Sequence, residues 1–414
     1  MLTGILLGLV ALAFVLIVIE DIIHVNKAKT TLFFGTLCWI LLFIFAGSDT
    51  SREHVQHQLE HNLLEIATLW LFLMSTMTFV AYLNSKGFIA QIVQRALPSH
   101  LSERRLMFIV ASFAFVFSSF ADNVTATLVS IAVISSVKLE AAKKLRYGTL
   151  IVFAVNSGGV SLITGDVTTL MFFLADKVTI ANLLLLVVPA FTSVAVLAVM
   201  LSRGMNQQLV VEKSKKPIAK TDMTIAGIFV STISATLFLN VMYAIPPVLT
   251  FLFGLAVMFL IAQVLMRKKA TQSIINYVRE VEFETLLFFL GVLLLVGVLK
   301  EVKFLQHFTE LYSVLSPLHA NYLMGISSAL IDNVPLTAAL LKAELTMTPA
   351  EWLLLTYATG VGGSLLIIGS AAGIIAMSKL KELTFGSYLK MGGYLLFCYS
   401  LGYAGVYFFG QFAN

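Results

Sequence analysis

The chain has 414 residues, of which 59% are hydrophobic and only 12% charged, with a formal net charge of +5 and a mean hydropathy of +0.94. A soluble domain carries about 25% charged residues, so this composition excludes one and indicates an all-α polytopic membrane protein. The basic excess is not a nucleic-acid signal, because it sits in short loops where it reports orientation. The two cysteines, Cys38 and Cys398, both lie inside apolar runs, which excludes a disulfide framework and assigns them to core packing.

The first apolar run, Leu2 to Ile19, has no basic residue before it and no small-x-small pattern before Glu20-Asp21. It reads as a membrane span, not a signal peptide. Runs of spanning length follow, giving about ten in all, at 2–19, 30–47, 62–84, 148–176, 183–202, 224–243, 248–266, 282–300, 350–378 and 386–411. Each is long enough for a hydrocarbon core that needs about 20 helical residues. Residues 104–137 and 319–345 are too long for one span and, with polar middles, too short for two. They are expected to be re-entrant hairpins, since non-helical backbone is tolerated at that depth only under protein or beside a water-filled cavity.

The hairpin centres are two copies of one motif. Phe117 to Leu128 reads Phe-Ser-Ser-Phe-Ala-Asp-Asn-Val-Thr-Ala-Thr-Leu, and Ser327 to Ala339 reads Ser-Ser-Ala-Leu-Ile-Asp-Asn-Val-Pro-Leu-Thr-Ala-Ala. Both share Asp-Asn-Val, a Ser pair one turn before the Asp, and a Thr five residues after it (Thr127, Thr337). An aspartate at membrane depth costs ~2.5–3.5 kcal/mol on insertion scales, so a repeated one marks a site.

Loop charge orients the layout. Arg104-Arg105, Lys138 to Arg146, Arg203 to Lys220, Arg267 to Arg279, Lys27-Lys29 and Lys379-Lys381 all fall on one side, expected to be the cytoplasm, with both termini outside. The opposite loops, 48–61, 176–182, 243–247 and 301–318, are poorer in Lys and Arg. The first hairpin then enters from the cytoplasm and the second from outside.

Corresponding segments divide the chain into two inverted repeats, 1–202 and 221–414, joined by a cytoplasmic linker at 203–220 that holds Lys213, Lys215, Lys216 and Pro217. The amphipathic segment Lys86 to Pro98 matches Lys303 to Pro317. Asn-Ser-Gly-Gly-Val-Ser-Leu-Ile-Thr-Gly-Asp at 156–166 matches Gly-Val-Gly-Gly-Ser-Leu-Leu-Ile-Ile-Gly-Ser at 360–370, with Gly158-Gly159 and Gly165 aligned to Gly362-Gly363 and Gly369. These two Gly-interrupted helices, 148–176 and 350–378, with inverted repeats and hairpins, point to a secondary transporter whose site lies at the midplane.

The chemistry follows from the donors. Carboxylates, amide oxygens, hydroxyls and the carbonyls freed at helix breaks form an all-oxygen set suited to a hard cation such as Na⁺. Desolvation disfavours the ionised carboxylate, so proton and cation compete for one oxygen pair. Asp122, Asn123, Asp332 and Asn333 are the primary candidates. Asp166, with Asn156, Ser157 and Thr164, belongs to the first half, and Ser364 and Ser370 to the second, where Ser370 stands in the place of Asp166. Glu65, in the third span, is a candidate proton carrier or partner. Each has a structural alternative. The aspartates can be helix caps, and Asn123 and Asn333 turn residues. Thr127, Thr337 and the serines can back-bond to helix carbonyls, Asn156 and Ser157 can serve packing, and Glu65 can be interfacial. His57, His61 and Glu65 recur every four residues, with His54 before them, and a solvated outer helix explains them better than a metal site or pH sensor.

The paired Asp-Asn motifs, Asn156-Ser-Gly-Gly and Gly165-Asp-Val-Thr-Thr together resemble the NhaD-type Na⁺/H⁺ antiporters of the ion transporter superfamily, over nearly the whole chain. The superfamily's sodium–dicarboxylate members typically carry Ser-Asn-Thr at the tips, where this chain has Asp first. The resemblance implies an integral protein of the bacterial inner membrane that exports Na⁺, with Li⁺ as an alternative cargo, against inward protons. It also implies no resident cofactor, and a hairpin-bearing transport domain that moves against a dimeric scaffold. Two rivals stand beside it. An anion carrier, either a sodium–carboxylate symporter or an arsenite-type permease, would bring its substrate to three carboxylates with no Lys or Arg at membrane depth nearby, where like charges repel. An intramembrane aspartyl protease needs Gly-x-Gly-Asp, and the chain has Ile163-Thr164-Gly165-Asp166.

Overall fold

The computed structural model describes residues 2–18, 25–47, 49–135, 137–210, 218–266, 276–279 and 281–413. The centre of the expected linker, including Lys213, Lys215, Lys216 and Pro217, lies outside the described residues, as do Glu20, Asp21 and residues 267–275. The described helices are α1 (Leu2–Val18), α2 (Lys27–Ile44), α3 (Asp49–Ser85), α4 (Phe88–Ala96), α5 (Glu103–Phe120), α6 (Asn123–Ser135), α7 (Ala141–Gly159), α8 (Val167–Leu174), α9 (Val187–Leu201), α10 (Lys220–Tyr243), α11 (Pro247–Met266), α12 (Phe283–Glu301), α13 (Gln306–Val314), α14 (Pro317–Ser327), α15 (Asn333–Lys342), α16 (Pro349–Gly362), α17 (Ala371–Lys379) and α18 (Gly392–Gly410), with short turns of helix between some of them. Six helices among the described residues are long and apolar enough to cross a membrane: those within 27–44, 51–85, 180–201, 220–243, 247–264 and 283–301. The protein is thus an all-α polytopic membrane protein.

Two details depart from the sequence expectation. The segment 48–61, expected as an outer loop with a solvated helix around His54 to Glu65, is helical from Asp49 and continuous with the third span, giving α3 a length of 37 residues. Gln56 and Glu60 pair along it at i,i+4, 2.8 Å apart. Two three-residue strands, β1 (His100–Ser102) and β2 (Gln208–Val210), pair antiparallel with Leu101 opposite Leu209. They pin the chain at the entrance to α5.

The chain forms two compact units. The first comprises 1–74, 281–316 and 334–346. Here α2 packs along α12, with α1 against both. The Trp39 indole donates to the Leu294 carbonyl at 3.0 Å, and the Trp70 indole to Leu286 at 2.8 Å. Such bonds fix helix register where apolar burial gives little preference among rotations.

The second unit comprises 75–280, 317–333 and 347–414. Helix α5 stops at Phe120 and α6 starts at Asn123, so the first Asp-Asn motif sits at a helix–break–helix tip. The second motif sits at the corresponding break, between α14 and α15. The two Gly-rich stretches are also breaks. Helix α7 ends at Gly159 and α8 begins at Val167, while α16 ends at Gly362, a 3₁₀ turn covers Ile367–Gly369, and α17 begins at Ala371. Both pairs pack by bare backbone. A Cβ at Gly158 would stand 2.0 Å from the Phe115 carbonyl oxygen of α5, and one at Gly362 would stand 2.0 Å from the Gly325 carbonyl oxygen of α14. Hairpin arm and broken helix meet the same way twice.

Gly158→Ala should therefore destabilise the fold by about 1–3 kcal/mol or more, as overpacking does. Gly227→Ala, on α10 with nothing within 4 Å, should stabilise by about 0.5–1 kcal/mol through helix propensity. Thermal unfolding of the purified protein in detergent checks both, and equal behaviour would refute the packing account.

A candidate cation site at the helix breaks

Each break leaves a helix N-terminus whose first amides have no intrahelical acceptor. Asp122 meets this need at α6: its Oδ1 accepts from the Thr125 amide at 2.8 Å and its Oδ2 from the Thr125 hydroxyl at 2.9 Å. Asp166 is the N-cap of α8, with Oδ1 accepting from the Thr168 amide at 3.3 Å. Ser370 is the N-cap of α17, accepting from the Gly373 amide at 3.3 Å. The capping alternative is thus realised at three of the predicted positions. It does not exhaust a carboxylate, which offers about four acceptor sites on two oxygens.

The breaks are joined by a polar chain inside the second unit. The Asn123 Oδ1 accepts from the Ser118 hydroxyl at 2.8 Å, and its Nδ2 reaches Asn156 Oδ1 at 3.5 Å. Asn156 in turn donates to the Val152 carbonyl at 3.0 Å and to the Ser370 hydroxyl at 2.9 Å. From the other tip, Asn333 donates to Asp166 Oδ2 at 3.4 Å. Asp332 is near enough to Asp166 to interact with it electrostatically. Asn123, Asn156, Asp166, Asn333 and Ser370 are therefore brought together, with Asp122 and Asp332 next in sequence to the two asparagines.

Missing side chains make room there. A Cβ on Gly159 would come within 2.8 Å of Asn123 Oδ1 and 3.1 Å of the Asp166 Cβ, and one on Gly360 within 3.8 Å of Asp166 Oδ2. Ser157 and Ser161 are fully buried beside these breaks, and neither hydroxyl has a hydrogen-bond partner. Buried hydroxyls without partners cost roughly 1–3 kcal/mol each, so they fit a role toward a ligand.

The remaining predicted residues separate. Thr127 back-bonds to the Asn123 carbonyl at 2.7 Å, Thr164 donates to the Ser119 carbonyl at 2.6 Å, and Ser364 donates to Val361 at 2.6 Å. Thr337, one turn along α15 from Asn333, is buried with its hydroxyl unpartnered. Glu65 lies in the first unit, bonded to His61 and to Lys342, each at 3.2 Å. His54 pairs with Glu301 at 3.2 Å.

Sequence reasoning passed over Thr125. The signal was present, because a hydroxyl three residues after an Asp cap is a recurrent N-terminal pattern. In the second copy that place is Pro335, which has neither an amide hydrogen nor a hydroxyl, so Asp332 cannot be held as Asp122 is. Lys342, in the last turn of α15 and the first unit, has a side chain only 14% exposed and pairs with Glu65.

Chemically, the cluster presents oxygen donors from both tips and both breaks. Every partner of Asp122 and Asp166 is an amide or a hydroxyl, and none is Lys or Arg. Comparison with known proteins agrees in class. Residues 1–362 match a family model described as a citrate transporter, CitMHS. The chain is 30% identical to the Na⁺/H⁺ antiporter NhaD of Vibrio cholerae serotype O1, over 94% of this chain and 88% of that protein. It is 31% identical to NhaD of Alkalimonas amylolytica, over 100% and 90% respectively, and 30% identical to NhaD of Vibrio parahaemolyticus, over 92% and 98%. With the motifs, the breaks and these alignments in agreement along nearly its whole length, the chain belongs to the NhaD-type family of ion transporters and is not an enzyme.

Proposed function

We propose that this protein exchanges cytoplasmic Na⁺ for external H⁺, with Asp122, Asp166 and Asp332 shared between cation and proton. The observation that carries this reading is the polar chain linking both tips and both breaks, through Asn123, Asn156 and Ser370 and through Asn333 and Asp166. The relatives' names supply the ion pair. Li⁺, a smaller hard cation, is an alternative cargo for the same oxygens.

The two similar hairpin–break pairs support inverted repeats at 1–202 and 221–414, with re-entrant tips entering from opposite faces of the bacterial inner membrane and both termini outside. Na⁺ binds the deprotonated carboxylates from the cytoplasm, the hairpin-bearing domain moves against a dimeric scaffold, and Na⁺ is released outside. Protons replace it for the return. Asn123, Asn333, Asn156, Ser157, Thr337 and Ser370 supply or orient neutral oxygens. Thr127, Thr164 and Ser364 already bond to carbonyls and hold the breaks.

The family description favours a second reading, sodium-coupled carboxylate transport. A tricarboxylate in this cluster would face carboxylates without a neighbouring Lys or Arg partner, a repulsion that a low dielectric magnifies. One assay separates the readings: dye-monitored ΔpH in everted vesicles, with Na⁺, Li⁺, K⁺ and citrate added in turn. Citrate uptake without cation/proton exchange would overturn the antiport reading.

Two outcomes are expected of variants. Asp122→Asn and Asp332→Asn should each abolish exchange while leaving folded protein, because Asn still caps a helix but carries no charge. Normal exchange by both would refute the site. Ser157→Ala should lower apparent Na⁺ affinity about fivefold, the equivalent of ~1 kcal/mol, with the melting temperature unchanged, since its hydroxyl has no protein partner to lose. Thr127→Val, which breaks a bond to Asn123, should instead lower the melting temperature.

A further inference from the structure

The first unit contains a polar cavity that the cation site does not use. It encloses about 310 Å³ including its open mouth and is lined by Trp39, Asn62, His61, Glu65, Lys300 and Lys342, among others. Its floor is rigid. Asn62 is 2% exposed and donates to the Leu293 carbonyl at 3.1 Å, while the Trp39 indole is tied to Leu294. Gly297 leaves the space, since a Cβ there would stand 2.6 Å from Asn62 Nδ2.

Into this cavity the last turn of α15 sends Lys342. Its ammonium donates to Asn62 Oδ1 and pairs with Glu65 Oε2 at 3.2 Å. The other oxygen of Glu65 lies 3.2 Å from His61 Nδ1. Side-chain exposure rises along this row, from 14% at Lys342 to 45% at Glu65 and 63% at His61. The row is therefore three titratable groups within hydrogen-bonding reach, leading from an enclosed amine to an open imidazole. The other charged groups facing it, from α12 and the segment after α15, are already matched: Lys300 with Glu344 at 3.3 Å, and Glu301 with His54 at 3.2 Å. A lysine with only 14% of its side chain exposed is costly to desolvate unless its charge is matched, and here its partners lead outward in a row.

We propose that Lys342, Glu65 and His61 form a proton relay for the outer side of the exchanger, with Lys342 as the group that holds the proton. This rests on the exchange reading above. The Lys342 ammonium gives its proton to water that reaches it from the inward side, leaving the neutral amine; His61 then takes a proton from hydronium outside and passes it to the Glu65 carboxylate, and Glu65 passes it to the amine. Only N–H and O–H bonds form and break, and one proton enters for each one released inward. Lysine suits this place because it can lose its proton, whereas a guanidinium cannot.

The test separates proton coupling from cation movement. Wild type, Lys342→Arg and Lys342→His are reconstituted in liposomes. Na⁺-driven ΔpH is measured beside ²²Na⁺/Na⁺ exchange at equal pH on both sides, which needs no net proton transfer. The relay predicts that Lys342→Arg loses tenfold or more of the ΔpH rate while keeping Na⁺/Na⁺ exchange within twofold. Lys342→His, which still titrates, should recover ΔpH formation with its optimum moved to lower pH. Near-normal ΔpH in Lys342→Arg, or parallel loss of both fluxes, would overturn the relay; the parallel loss would assign Lys342 a purely structural role. If Lys342→Arg does not fold, Lys342→His decides, because an unmoved pH profile overturns the relay. Wild type lacking both fluxes would instead remove the exchange reading itself.

Discussion

A helix broken within a membrane exposes backbone N–H and C=O groups where water cannot satisfy them, at several kcal/mol for each orphan. The rest of this structure depends on meeting that demand. Asp122, Asp166 and Ser370 each bond the amides of the helix that follows a break. The residues suited to bind a cation are thus the same residues that make the broken backbone tolerable. The two roles coexist because a carboxylate has more acceptor sites than a cap requires. Scaffold and site share atoms here, so neither was assembled apart from the other.

Much of this was legible in the sequence because it repeats. Two Asp-Asn motifs and two Gly-rich stretches at matching intervals located all four breaks, and the structure starts or stops helices within a few residues of each. The helical, membrane-spanning character was legible from length and hydropathy, and six of the described helices are long and apolar enough to cross a membrane. What escaped were pairings between residues far apart in sequence. Nothing local joins Asn156 to Ser370, 214 positions on, or Lys342 to Asn62, 280 positions back. Nor does anything local join Glu103, 1% exposed, to Lys143, with which it pairs at 2.9 Å. The recurrence of His57, His61 and Glu65 pointed to a solvated helix in the outer part of α3, but not to its being continuous with the span that follows.

The two motif-and-break pairs share a backbone plan more closely than a chemistry. Asp166 stands where the second half has Ser370, and Thr125 where it has Pro335. The first difference places the third carboxylate at one break only. The second means that Pro335 cannot offer Asp332 the amide and hydroxyl that Thr125 offers Asp122.

The length of α3 has a mechanical corollary. Thirty-seven residues at 1.5 Å each make a rod of about 55 Å, against a hydrocarbon core of about 30 Å. The band from Ser51 to His61 holds Arg52, two glutamates, three histidines and two glutamines, all costly to draw into lipid, so the excess length of this rod is matched by a polar end that hydrocarbon does not accept.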